Sequence, residues 1–302
     1  MMYHNPVLLQ ESVEGLCIKP NGIYVDVTFG GGGHSKKILE ALGEYGKLFA
    51  FDQDADAIEN KIEDDRFLLI PQNFRHIKRF LRLHGITKVD GILGDFGVSS
   101  HQFDVAERGF STRFEADLDM RMDQKSAFSA YQVVNQYNEK DLQNVFWNYG
   151  ELKAAKGMAK KIIEKRQEEP IKTTEQLKSA LGKFLPIHRE NKILAQIYQA
   201  IRIEVNQEIQ ALKEFLLQTT ELLQVGGRMS LISYHSLEDR LVKRFIRSGL
   251  FEGEPEKDVF GNIHVPFKKV GGLLIPSREE IKQNSRARSA KLRVAERIEF
   301  TK

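Results

Sequence analysis

Cysteine is nearly absent from this sequence, and a strong excess of one charge and long apolar runs are absent too. The single cysteine, Cys17, has no partner for an internal disulfide, and no metal-type cysteine pairs occur, so we expect a reduced chain without a metal. The 45 Lys and Arg residues nearly balance 42 Asp and Glu, so any nucleic-acid function must depend on local clusters. Without a signal-like or membrane-length segment, we expect a cytoplasmic location and no membrane contact.

The first hundred residues alternate between strand-like and helix-like patterns. Apolar, β-branched runs occur at 22–28, 47–52, 67–70 and 89–95, and helical patterns separate them. This alternation predicts a parallel, doubly wound sheet. Helical periodicity then dominates to about residue 206. One long helical pattern, over 193–223, runs out of this region, and a strand pattern returns near Gly226. We therefore predict a Rossmann-like α/β domain formed by 1–102 plus 207–302, interrupted by a helical insert at 103–206.

A glycine cluster, Gly30 to Gly33, follows the first strand and precedes a helix. Such a loop lets backbone approach a ligand at the crevice of an α/β sheet, although a flexible turn alone would look the same. Asp52 ends the next strand, where an acid can accept both ribose hydroxyls of a nucleoside. Asp95 ends the fourth strand and should face the same crevice. Together these residues indicate a nucleoside-containing cofactor.

The spacing within the loop favours one cofactor over others. The dinucleotide fingerprint G-x-G-x-x-G fails, because counting from Gly30 puts Ser35 in the last glycine's place. The Lys-Ser/Thr pair of a P-loop is also absent. Asp26, just upstream, could engage a cationic amino-acid moiety, which S-adenosylmethionine has and NAD lacks. The residues thus favour S-adenosyl-L-methionine.

Several segments together resemble the bacterial ribosomal RNA small subunit methyltransferase H family (RsmH, also called MraW). They include VDVTFGGGGHS, GDFGVSSHQFDVAERGFS, LDMRMD, QAIRIEVNQE, GGRMSLISYHSLEDRLVKRF and NSRARSAKLRVAER. The match runs from Val7 to about Arg297, and HSLEDR combined with AERGFS and RARS is its most specific part. The resemblance implies a class I methyltransferase domain with a helical substrate-recognition insert. It also implies methylation of the N4 amino group of a cytosine in the decoding region of 16S rRNA.

The resemblance further implies a set of cofactor contacts. Phe74 would give adenine an apolar wall, although an ordinary core Phe is the plainer interpretation. The chain departs from residues usual in the family at His101, Leu152 and Gln196, which concerns RNA contacts more than the cofactor. The implied cofactor contacts are Gly32, Gly33, His34, Asp52, Phe74, Asp95 and Gln102.

The chemistry of an amino group suggests candidate catalytic residues. The cytosine N4 lone pair is delocalised into the ring, so an enzyme must orient it and supply hydrogen-bond acceptors. We expect Asp95, or a backbone carbonyl beside it, to accept an N4 hydrogen while Phe96 or a neighbour stacks on the base. A role for Asp95 in cofactor binding alone stays open. His235 could reach the same crevice or serve as a structural hydrogen-bonding residue. No cysteine is placed for a thiol adduct, which disfavours carbon methylation.

Clustered cations mark where RNA from the small ribosomal subunit would bind. LEDRLVKRFIRS places basic residues at helical spacing opposite an apolar side, although such charges usually form a solvated helix face. Two other function classes remain open: a methyltransferase of the same fold acting on DNA or a ribose hydroxyl, and a non-catalytic ribosome-assembly factor. The sequence does not determine the oligomeric state and leaves a homodimer open. The candidate RNA contacts are Arg113, Arg121, Arg202, Arg240, Arg244, Arg286 and Arg288.

Overall fold

The computed structural model describes residues 6–255, 257 and 263–299. The chain divides into two compact units: the sheet unit, Met1–Gly97 with Ile209–Lys302, and the helical unit, Val98–Glu208. These bounds differ by a few residues from the expected division at 103–206. Within the described residues, every helix is too short or too polar to cross a membrane.

Seven strands of the sheet unit form a single sheet in the order β3-β2-β1-β4-β5-β7-β6. The first five strands in the chain run parallel, whereas β7 is antiparallel to both of its neighbours. The strands are β1 (Ile23–Asp26), β2 (Lys47–Phe51), β3 (Phe67–Ile70), β4 (Val89–Asp95), β5 (Leu223–Ser233), β6 (Phe267–Leu274) and β7 (Lys291–Arg297).

Thirteen α-helices are found among the described residues. In chain order they are α1 (Leu9–Gly15), α2 (Gly33–Ala41), α3 (Ala55–Ile58), α4 (Ile77–Leu83), α5 (Ser100–Asp104), α6 (Ala130–Gln136), α7 (Glu139–Asn148), α8 (Ala155–Glu168), α9 (Thr174–Ala180), α10 (Glu190–Asn206), α11 (Glu208–Leu222), α12 (Ser236–Ser248) and α13 (Arg278–Gln283). Short 3₁₀ turns include Phe74–His76 and Ser285–Ser289.

Both faces of the sheet are covered, which explains why the central strands are apolar on both sides. Tyr24 and Val25 of β1 are adjacent and belong to different core clusters, because successive side chains point to opposite faces. One cluster includes residues of α1 and α2, and the other includes residues of α4, α11 and α12. The expected Rossmann-like α/β fold class is confirmed. The antiparallel β7 and its neighbour β6 were not predicted.

The helical unit has a hydrophobic core of its own. Residues of α6 to α10 form one buried cluster, in which Phe146, Ile162, Leu177 and Ile197 are fully enclosed. The long helical pattern over 193–223 forms two helices. Gln207 adopts a left-handed conformation with φ of 50°, which ends α10 at Asn206 before α11 begins.

Candidate active site

The strand order reverses between β1 and β4, and this reversal defines a crevice at their carboxyl ends. Asp26, the last residue of β1, pairs with Leu93 of β4, and β4 ends two residues later at Asp95. On the other side of β1, Asp52 directly follows β2. Ligands of open α/β sheets bind at such a reversal. The loop after β1, Asp52 and Asp95 therefore lie along one edge of the sheet.

The glycine loop needs glycine for two different reasons. Gly30 and Gly32 have φ values of 50° and 75°, a left-handed region that strains other residues. Gly33 instead makes room for packing, because a Cβ there would lie 2.1 Å from Cγ of Pro6. A Cβ on Gly30 would meet no atom within 4 Å, so the space beside this residue is open. Of the three glycines, Gly30 therefore has the open space that a ligand needs.

Asp26 holds the glycine loop from within the protein. Its side chain is 0% exposed, and its two oxygens accept hydrogen bonds from the Ser35 hydroxyl at 2.7 Å and the Thr28 N–H at 3.1 Å. Burial raises the pKa of Asp26 to about 6, against the lowering effect of these hydrogen bonds. The expectation that Asp26 meets a cationic amino-acid moiety is wrong, because the carboxylate is enclosed and occupied by the loop.

Asp52 joins the glycine loop to the end of β2. Its Oδ2 accepts a hydrogen bond from the Gly30 N–H at 2.8 Å, and its Oδ1 accepts one from the Asp54 N–H at 2.9 Å. Burial raises the pKa of Asp52 to about 6. The residue is half-buried, and each carboxylate oxygen has a second lone pair. Asp52 can therefore accept hydroxyl groups from a ligand while it holds the loop.

Among the acids of the crevice, Asp95 has the carboxylate with the fewest hydrogen-bond partners. Burial raises its pKa to about 7, while a hydrogen bond from the Tyr234 hydroxyl lowers it and the charges of Asp26 and Glu238 raise it. Oδ1 is buried and has no hydrogen-bond partner among the described residues. The Asp95 N–H donates to Oγ1 of Thr28 at 2.7 Å, which anchors the end of β4 to the loop after β1. One oxygen of this acid thus remains available to accept a proton or a hydrogen bond.

Tyr234 was not among the predicted site residues. It follows the last residue of β5, and burial together with the Asp95 carboxylate raises its pKa well above the ordinary value. Its N–H donates to Oε2 of Glu238 at 2.9 Å, and its ring lies near Gly97. Its position at the carboxyl end of a strand beside β4 could have identified it as a site residue. We selected the next residue, His235, as the candidate at that strand end.

Three aromatic rings from separate segments form a cluster beside the crevice. Phe74 lies 5.8 Å from Phe96 and 5.5 Å from Phe215, measured between ring centroids, and Phe96 lies 6.0 Å from Phe215. Phe96 is 4% exposed, so the expectation that it stacks on a base is wrong. Phe74 is half-buried, and its role as a wall for adenine stays a prediction.

The two candidate histidines have local structural roles. His34 is 5% exposed, and its Nε2 lies 3.2 Å from the carbonyl oxygen of Val7; burial lowers its pKa to about 4. His235 caps α12, with Nδ1 accepting from the Glu238 N–H at 3.4 Å and Nε2 lying 3.1 Å from Oε1 of Glu238. Nε2 is buried and has no hydrogen-bond partner among the described residues. The Nδ1 contact agrees with the structural interpretation of His235, and its role in catalysis stays a prediction.

Gln102 and Arg113 are candidate residues near the start of the helical unit. Gln102 is 5% exposed and forms a reciprocal cap with Ser99 at the start of α5. Arg113 is exposed, lies 5.5 Å from the ring centroid of Phe114 and forms an ion pair with Asp104 at 3.2 Å. Phe114 is itself 42% exposed.

Two other arginines of the helical unit make internal ion pairs. Arg121 binds Asp119 through its Nε and one terminal nitrogen. Arg202 binds both oxygens of Glu208, at 2.8 and 3.0 Å, with only 12% of its side chain exposed. Their role as RNA contacts stays a prediction, and the pairs themselves stabilise the unit.

The remaining cations belong to the sheet unit. Arg240 is exposed on α12, whereas Arg244 on the same helix donates to the carbonyl oxygen of Gly253. Arg286 and Arg288 lie on the short turn Ser285–Ser289 before β7. Arg288 is exposed and makes no hydrogen bond or ion pair to the described part of the chain.

The residues of the crevice fit a nucleoside cofactor with a cationic centre. Asp52 has lone pairs for ribose hydroxyls, the space beside Gly30 is open, and the buried Oδ1 of Asp95 lacks a partner among the described residues. Such a set of acceptors suits S-adenosylmethionine better than a dinucleotide, whose pyrophosphate would meet these carboxylates.

Comparison with known proteins agrees with this geometry. The model of the MraW methylase family matches residues 1–298. The chain is 70% identical to the ribosomal RNA small subunit methyltransferase H of Christiangramia forsetii, over 99% of both chains. It is 68% identical to the protein of the same name from Flavobacterium johnsoniae, again over 99% of both chains. The protein of that name from Cytophaga hutchinsonii is 55% identical, over 98% of this chain and 100% of its own. The chain belongs to the MraW methylase family.

Proposed function

We propose that this protein transfers a methyl group from S-adenosyl-L-methionine to the N4 amino group of a cytosine in the decoding region of 16S rRNA. Its relatives at 55 to 70% identity carry the name of ribosomal RNA small subunit methyltransferase H, which supports methylation of small-subunit rRNA. The observation that carries the finer proposal is the buried Oδ1 of Asp95, an unpartnered acceptor at the reversal of the sheet.

Asp52 and Asp95 have separate roles in the reaction. S-adenosylmethionine, when bound, supplies an electrophilic methyl group. Asp52 accepts the ribose hydroxyls and, through the Gly30 N–H, keeps the glycine loop in place. Oδ1 of Asp95 would accept a hydrogen bond from the cytosine N4 amino group and so orient the lone pair. It would then take up the proton that N4 releases when the methyl group leaves the sulfonium sulfur for nitrogen. Because the pKa of Asp95 is about 7, a large fraction of this acid is ionised at neutral pH.

Nitrogen is favoured over ring carbon as the methylated atom. Carbon methylation of a pyrimidine usually needs a cysteine thiol that adds to the ring. The only cysteine, Cys17, is exposed and lies before the amino end of β1, whereas the crevice is at the carboxyl end. An acid with a free oxygen suits an amino group, which has hydrogens to donate.

We also assign substrate recognition to the helical unit. Arg113 offers an exposed guanidinium for phosphate, although Asp104 at 3.2 Å neutralises part of its charge. Phe114 beside it offers a partly exposed ring on which an unstacked base can lie. The unit has its own hydrophobic core, so such surface residues can vary without loss of the fold.

Methyl transfer to small ribosomal subunits that lack the modification tests the proposal. The purified protein and radiolabelled S-adenosylmethionine should yield N4-methylcytidine after nucleoside digestion, at one position in the decoding region. Asp95→Asn serves as the control, and it should incorporate little label.

Each alternative function has a distinct outcome in the same assay. Label on a ribose or a ring carbon would show that the target atom is not the cytosine N4. Label on DNA but not on RNA would show that the substrate is DNA. RNA binding without any transfer, together with no calorimetric signal for the cofactor, would indicate a non-catalytic assembly factor.

A further inference from the structure

A pocket of about 310 Å³ lies in the sheet unit beside the turn between β5 and α12. None of its lining residues belongs to the glycine loop, and among them only Arg288 was predicted from the sequence as an RNA contact. Its volume is at the lower end of the range for small-molecule sites. Residues from three segments line it, the turn after β5, α13 with the residues before it, and the turn before β7, and they include Tyr234, Ser236, Ile275, Ile281, Arg288 and Lys291.

The pocket combines an apolar wall with positive charge. Ile275 and Ile281 contribute the apolar part, and Ile275 is 65% exposed. Arg288 contributes an exposed guanidinium that makes no ion pair to the described part of the chain. Lys291 contributes a second cation, although Asp239 at 3.3 Å neutralises part of its charge. An apolar wall opposite an unpaired cation suits a ligand that has both a flat organic part and a phosphate.

Tyr234 connects this pocket to the crevice. The same residue lines the pocket and donates its hydroxyl hydrogen bond to Asp95. A ligand in the pocket would therefore lie one side chain away from the carboxylate to which we assign the cytosine amino group. Two sites separated by one tyrosine suit two nucleotides of the same strand.

We propose that this pocket binds a nucleotide of the substrate RNA close in sequence to the target cytosine. Arg288 and Lys291 hold its phosphate, and Ile275 and Ile281 contact its base or ribose. The inference rests on the proposed function for the identity of the RNA. It goes further because it assigns one nucleotide to a defined set of residues, which Tyr234 separates from Asp95.

Binding of a fluorescent single-stranded RNA to the full-length protein tests the assignment without relying on catalysis. The RNA carries the decoding-region sequence, and anisotropy is read at several salt concentrations. Arg288→Ala should raise the Kd about tenfold, because it removes a charge-assisted contact. The slope of log K against log salt should also fall by about 0.7, the value for one phosphate of a single strand. Ile275→Trp, which fills the pocket without a change in charge, should raise the Kd as well.

Arg278→Ala is the matched control, because Arg278 is an exposed arginine of α13 that does not line the pocket. It should change the Kd less than twofold. Equal losses in Arg278→Ala and Arg288→Ala would show a diffuse basic surface and overturn the assignment. An unchanged Kd in Ile275→Trp would also overturn it.

Competition identifies the ligand class. Uridine 5′-monophosphate should displace the RNA from the wild-type protein at lower concentration than inorganic phosphate does. Equal potency of the two competitors would reduce the site to a phosphate contact and contradict the nucleotide assignment. A protein that binds RNA as expected but transfers no methyl group would refute the proposed function and leave this site standing.

Discussion

The carboxyl ends of the neighbouring strands β1 and β4 each contain an acid, but the two acids have different surroundings. At the end of β1, both oxygens of Asp26 accept hydrogen bonds from neighbouring residues. At the end of β4, Asp95 receives a hydrogen bond from Tyr234, and its buried Oδ1 has no partner among the described residues. The difference separates an acid that maintains the shape of the site from one with an oxygen that no described residue uses.

The largest expected effect comes from Asp95→Asn. The substitution keeps the size of the side chain but removes the proton acceptor, so kcat for methyl transfer should fall about a hundredfold or more. Affinity for S-adenosylmethionine, measured by calorimetry, should change less than kcat. Asp90→Asn, at the opposite end of β4, is the control and should retain kcat within about twofold. A loss of cofactor affinity with full turnover would make Asp95 a cofactor ligand only.

Asp26→Ala should act mainly on stability. It leaves the Ser35 hydroxyl and the Thr28 N–H without their buried acceptor, so the free energy of unfolding should fall by about 1–3 kcal/mol in urea denaturation. Asp26→Asn, whose amide oxygen can still accept from Thr28, should lose less. If Asp26→Ala unfolds like the wild type yet binds the cofactor poorly, the separation of roles between the two acids fails.

Gly32→Ala tests whether backbone conformation shapes the loop. Gly32 has φ of 75°, so a methyl side chain there should cost about 1–2 kcal/mol of unfolding free energy. Gly272→Ala is the matched control, because a Cβ on Gly272 would meet no atom within 4 Å and its φ is not left-handed. Equal stability of the two variants would show that the left-handed conformation is not required.

Tyr234→Phe should have the smallest effect and the most specific one. Loss of the hydroxyl removes the hydrogen bond that lowers the pKa of Asp95, so this pKa should rise by about one unit. At pH 7, fewer Asp95 side chains would be ionised and kcat should fall about fivefold, with recovery at higher pH. Tyr45→Phe, at a tyrosine that is 74% exposed, is the control and should leave kcat unchanged. A loss that is the same at every pH would point to a purely structural role.

Much of the sheet could be predicted because its central strands are apolar runs bounded by glycine and charged residues. β7 escaped prediction because its sequence, KLRVAER, is rich in charge and does not resemble the apolar central strands. β6 has exposed residues along most of its length and two glycines, so it lacks the pattern of a buried strand. The break at Gln207 has no glycine or proline to mark it, and only its positive φ reveals it.

In the site, the sequence indicated the positions of the acids but not their surroundings. Asp52 and Asp95 could be placed at strand ends, whereas the enclosure of Asp26 depends on Ser35, which approaches only when α2 folds back. Phe96 looked available for a base because its partners are distant in sequence; Phe215 of α11 is one of them. Tertiary contacts of this kind leave no pattern in the sequence around either residue.

The rate of methyl transfer as a function of pH tests the central claim most directly. Under single-turnover conditions with saturating cofactor and small subunits, the wild-type rate should rise with pH and level off above an apparent pKa of about 7, as Asp95 loses its proton. In Asp95→Asn, the residual rate should lack this rise. A wild-type rate that does not change between pH 5.5 and pH 9, or a rise that persists unchanged in Asp95→Asn, would contradict the assignment of Asp95 as the proton acceptor.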